Sequence, residues 1–119
     1  MKIAYASDWL SSLFTSNASL QRGCAAEWMS VATLSTLIAS NAHLAALADL
    51  PAIQVAVMTL GTVTFIVIRL GVAELTVQPI DRRGFVVADL TAVDHTEITR
   101  LLVTSVTVRG KEITESMTA

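Results

Sequence analysis

The chain has a single cysteine, Cys24, among 119 residues, so an intramolecular disulfide and a cysteine-rich zinc site are both excluded. A reducing, cytoplasmic compartment is the expectation, and MKIAYASDWLSSLF at the start agrees, because Asp8 and the serines interrupt any apolar signal core. Charge is equally scarce. Only 15% of residues are charged while 53% are hydrophobic, and the net charge is -2. Apart from the neighbours Arg82 and Arg83 the basic residues do not cluster, which argues against nucleic acid as a partner. There are two histidines, too few for an imidazole-rich metal site. Gly61, Gly71 and Gly84 stand singly, so no phosphate-cradling glycine run exists. One domain spanning residues 1–119 is expected from the length.

What is present is an apolar run, Ala52 to Val77, AIQVAVMTLGTVTFIVIRLGVAELTV, whose only ionisable side chains are Arg69 and Glu74. Its Val, Ile, Phe and Thr content favours strands, and Gly61 and Gly71 divide it into three pieces of strand length. We read residues 52–78 as a three-stranded antiparallel meander. The last piece alternates, with Ala73, Leu75 and Val77 opposite Glu74, Thr76 and Gln78, as at a half-solvated edge. The first two pieces are apolar on both faces and are expected to be covered twice. Leu50 to Ile68 is also long enough to span a membrane as a helix. Pro51, Gln54, Gly61, the threonines and the missing basic flanks argue against it.

Before the meander, residues 25–48 contain no Gly or Pro and read as one long helix, with Val31, Leu34, Ile38 and Ala45 at helical spacing. No formal charge lies between Glu27 and Asp49. The face made by Ser30, Thr33, Thr36, Ser40 and His43 is polar but uncharged, and it is the candidate interface, with solvent as the alternative occupant. Nearer the start, Lys2–Ala6 reads as a short strand. Asp8 is the expected cap of a turn or two in which Trp9, Leu10, Leu13 and Phe14 share a side, TSNAS reads as a loop, and Leu20–Cys24 as a strand or the approach to the helix. After the meander, Asp81-Arg82-Arg83-Gly84 fits a hairpin turn leading into a strand Phe85–Leu90. Asp94 and Glu97 fit a capping box for a short helix through Leu102. Strand from Ile98 to Val108, turning at Arg109-Gly110 and pairing back through Lys111–Thr114, is the competing reading.

A catalytic reading pairs Cys24 with His43 or His95, but RGCAA has no nucleophile elbow, and Cys is often buried for packing alone. Asp94, His95 and Glu97 are close in sequence, yet a helix cap accounts for the acids without a metal. We therefore assign no catalytic, cofactor-binding or metal-binding residue. Arg82 and Arg83 read as a solvated hairpin tip, with contact to an acidic partner as the other possibility.

The segment SVATLSTLIASNAHLAAL followed by the 52–77 meander resembles the central helix and following strands of the Roadblock family of small interaction domains, across Ser19 to Ile80. The same pattern occurs in profilin-like and longin-like folds. The resemblance implies an α+β domain, an antiparallel sheet packed on one long helix, that dimerises through that helix and an edge strand. It also implies a noncatalytic scaffold for a small GTPase or motor complex. Composition independently points to a homodimer or higher oligomer, since so little charge leaves a single copy short of polar surface. The alternative is a self-assembling structural protein, such as a viral or shell component, built from the same apolar surfaces.

Overall fold

The computed structural model describes residues 1–114; Ser116–Ala119, for which the sequence alone predicts a frayed end, lie outside them. Two glycines set the centre of the fold. Gly61 (φ 62°) and Gly71 (φ 59°) each open a two-residue hairpin loop, a position that needs the left-handed backbone only glycine adopts without strain. They fold the apolar run into β2 (Gln54–Leu60), β3 (Val63–Leu70) and β4 (Ala73–Ile80), each antiparallel to the next. Leu50–Ile68 is therefore not a spanning helix, and no helix among the described residues is long and apolar enough to cross a membrane.

The sheet continues through β5 (Arg100–Val108), antiparallel to β4, to β1 (Lys2–Tyr5), which runs parallel to β5. The strand order is β1-β5-β4-β3-β2, with β6 (Lys111–Glu112) folded back on β5. The fold is thus α+β as expected, with a mixed rather than wholly antiparallel sheet. Arg109 (φ 51°) and Gly110 (φ 78°) form the β5–β6 turn, both left-handed as a tight hairpin of this kind requires.

Among the described residues all the α-helices lie between β1 and β2 in sequence, as α1 (Asp8–Leu13), α2 (Asn17–Cys24), α3 (Trp28–Ser40) and α4 (Leu44–Ala48). They cover one sheet face. Val31, Leu34 and Ile38 of α3, with Leu44 and Leu47 of α4, pack into a core with Ile66, Ile68, Leu75, Val77, Leu101, Val103 and Val106. Each of these side chains is almost wholly removed from water, and truncating one to Ala costs about 2–5 kcal/mol.

Several boundaries differ from those read in the sequence. Helix 25–48 is broken. Asn41 is extended, Ser40 Oγ and Asn41 Nδ2 donate to Leu37 O at 3.1 and 2.7 Å, and His43 Nδ1 caps α4 by accepting from Ala46 N–H at 3.1 Å. These short polar side chains take over backbone groups that a continuing helix would have used. Upstream, Ser7 rather than Asp8 caps α1, and Ser16 caps α2, so a helix begins inside TSNAS and includes Leu20–Cys24.

The segment after β4 is not a strand through Leu90. Val86 makes one bridge to Ile80, and Val87 N–H donates to Pro79 O at 2.9 Å. Single 3-10 turns follow at Leu90–Ala92 and His95–Glu97, the second capped by Asp94, so the helix through Leu102 is replaced by β5. The branched residues at 98–108 side with the pleated alternative.

Candidate interaction surface

The site residues expected from the sequence sit on and just beyond α3. Thr33, Thr36 and Ser40 are exposed, and Ser30 and His43 are half-buried. Thr36 Oγ1 donates to Ala32 O at 2.9 Å within its own helix, so its hydroxyl already has a partner on the backbone. Trp28, Met29, Ala32, Thr33, Thr36 and Leu37, with Asn17, line a shallow open depression along α3. Met29 is 65% exposed. His43 stands apart from this stripe, because the chain break at Asn41 turns it into the cap of α4.

The sheet holds a second surface that sequence reasoning did not isolate. β2 was expected to be covered on both faces and β4 to lie at an edge; the order is the reverse. β4 sits between β3 and β5, whereas among the described residues β2 pairs with β3 alone. On the helix-covered face the register partners Val57 and Ile66 have opposite environments, Val57 being 51% exposed and Ile66 wholly buried. On the open face Met58 and Leu60 are also exposed, beside Phe65 and Val63. The seven residues of β2 carry no charge.

On its other side, beyond β3, the outer half of the hairpin also loses its neighbour. The β3–β4 ladder ends at Ile66–Val77. Beyond it the far side of β4 is taken by Val86 and Val87, since β5 already fills the near side. Pro79 has no N–H with which to extend the ladder toward β3. Thr64, the one buried polar side chain on the hairpin, donates instead to Ala88 O. The outer half of the β2–β3 hairpin thus stands clear of the sheet it belongs to.

The other candidate groups are not assembled for chemistry. Cys24 ends α2 in the core, where burial raises its thiol pKa above the usual value, the reverse of what an activated thiolate needs. Asp94 is held below the usual carboxylate range, first by the backbone N–H of Thr96 and then by its hydroxyl, with a smaller attraction from His95 and His43. The fold therefore brings His43 toward the Asp94–His95 turn. Among the described residues no three His, Cys, Asp or Glu side chains are grouped to hold a metal ion.

Family models, characterised proteins and solved structures were all compared with the chain, and none of the three comparisons gave a match.

Proposed function

We propose that the protein is a noncatalytic interaction module that self-associates through β2 and the uncharged face of α3. The observation that carries this reading is the edge strand itself. An exposed edge offers a row of unpaired backbone donors and acceptors, and chains that stay apart blunt such edges with Lys, Pro or bulges. β2 has none of these between Gln54 and Leu60, and it exposes Val57, Met58 and Leu60. A second copy of β2, laid antiparallel about a two-fold axis, satisfies the backbone and covers the side chains together. The α3 depression with Met29, Thr33 and Thr36 adds a charge-free surface on the helix layer above the same sheet face toward which Val57 points.

Regulation of a small GTPase or motor complex rests on the Roadblock resemblance alone. Light scattering behind a sizing column, over a range of protein concentrations, tests the reading on the wild type and on Val57→Lys and Thr36→Arg. A discrete dimer that Val57→Lys dissociates supports it, and a further loss with Thr36→Arg assigns α3 to the contact. A monomer at every concentration overturns it. Particles of many subunits would transfer the same surfaces to the alternative, a self-assembling structural protein.

A further inference from the structure

The opposite end of the sheet carries a different surface. Lys2 of β1 and Arg100 of β5 are register partners, Arg100 is the partner of Ile80 in β4, and Ile80 is bridged to Val86. Cross-strand partners share a face, so Lys2, Arg100, Ile80 and Val86 form one row across the open side of the sheet. Lys2, Ile3, Ala4, Ile80, Gly84 and Arg100 line a shallow depression there. Two cations and the apolar Ile3, Ala4 and Ile80 line it, and no carboxylate does. Past Gly84 the same loop exposes Phe85 (67%) and Val86 (43%), with Arg82 and Arg83 just before it.

The pairing of the cations is informative. Two like charges placed opposite each other destabilise a sheet. Elsewhere this chain matches its cross-strand cation, since Arg69 faces Glu74 and forms an ion pair with it, and Arg109 is bound to Glu27. Among the described residues neither Lys2 nor Arg100 has such a partner. Asp81, the carboxylate nearest in sequence to the loop, already accepts from the backbone N–H groups of Arg83 and Phe85 at 2.9 and 3.0 Å.

We propose that this depression docks an acidic segment of a partner protein, carboxylates on Lys2 and Arg100 and a neighbouring apolar side chain on Ile80 and Val86. Arg100 supplies the fork that fits a carboxylate bidentately, and Lys2 a second point charge. The row from Arg100 through Ile80 to the exposed Val86 offers an apolar contact beside the cations, which a peptide segment with a neighbouring apolar side chain uses and a small carboxylate does not. The surface lies away from β2, so it is available in a monomer and in a β2-paired dimer alike.

Fluorescence anisotropy of the full chain with short labelled peptides tests the proposal. The peptides are a Glu/Asp-rich sequence with a central Leu-Phe, the same sequence with Ser at those two positions, and its Lys-for-Glu counterpart. The Leu-Phe acidic peptide is expected to bind most tightly. Lys2→Glu and Arg100→Glu should each weaken it at least about tenfold, Arg100→Gln less, and Val86→Ser should remove its advantage over the Ser peptide. Unchanged circular dichroism and melting separate these losses from misfolding. Lack of binding by both acidic peptides, equal binding by the charge-reversed variants, or tighter binding of citrate, heparin or phosphatidylserine vesicles than of the Leu-Phe peptide overturns it.

Discussion

The two outer strands of the main sheet face opposite conditions with the same backbone chemistry. β1 is four residues long, begins with Lys2 and lies beside Arg100. β2 is seven residues long, carries no charge and exposes Val57, Met58 and Leu60. A short strand bearing a charge resists further pairing, whereas a long uncharged one invites it. On the proposed function, one edge is kept for polar contacts and the other for strand addition. Both hang on one core, so the two behaviours can be separated by substitution.

The largest contrast is within a single register pair. Ile66→Ala should lower unfolding free energy by about 2–5 kcal/mol, as in other wholly buried aliphatic sites, while Val57→Ala should stay within about 0.5 kcal/mol in monomeric protein. Urea titration at low concentration measures both, and a large loss at Val57 would mean that this edge is covered within one chain. Next, Val57→Lys should raise the dimer dissociation constant by about a hundredfold, the cost of a central contact. Ala4→Lys, the same change on β1, should leave the dimer intact. A dimer lost by Ala4→Lys and kept by Val57→Lys would exchange the roles of the two edges.

Smaller effects test the elements that hold the edges in place. His43→Ala removes the cap of α4 and should cost about 1 kcal/mol, with Asn restoring most of it; thermal melting distinguishes the two. Cys24 supplies a pH test. Burial raises its thiol pKa in the folded chain, so the unfolded chain gives up this proton first. Stability is thus unaffected below the ordinary thiol pKa, about 8.5, and falls as pH rises through the folded value. Tyr5, raised mainly by burial and lowered in part by its hydrogen bond to Ser35, adds to the loss from about pH 10 upward. Cys24→Ala should flatten the first part of that decline in melts between pH 8 and 10. An unchanged slope there would remove Cys24 from the alkaline response.

Much of the sheet was legible because its signals are local. Gly61 and Gly71 mark the hairpins by the backbone they alone adopt readily, and the alternation of Ala73, Leu75 and Val77 identifies the buried face of β4. What the pattern could not convey was neighbourhood. Glu74, Thr76 and Gln78 are polar because they line the open face of an interior strand, not because β4 is an edge. Val57 and Met58 are apolar although no described residue covers them, because β2 is an outer strand and the helix layer that buries Ile66 does not reach its register partner Val57. The surroundings of the candidate residues were legible only in part. The missing charge on α3 is visible in any window, and Thr33, Thr36 and Ser40 are exposed together. The break at Asn41 depends on side chains competing for Leu37 O, and helical spacing carried no warning of it.

Amide hydrogen exchange across Gln54–Leu60, followed as protein concentration is raised, tests the edge-strand account most directly. Alternate β2 amides, those not donated to β3, should exchange at nearly the unprotected rate in dilute wild-type protein. They should become protected as the dimer forms, and Val57→Lys should abolish the change. Fast exchange of those amides at every concentration would contradict the account, as would protection that is already complete in the monomer.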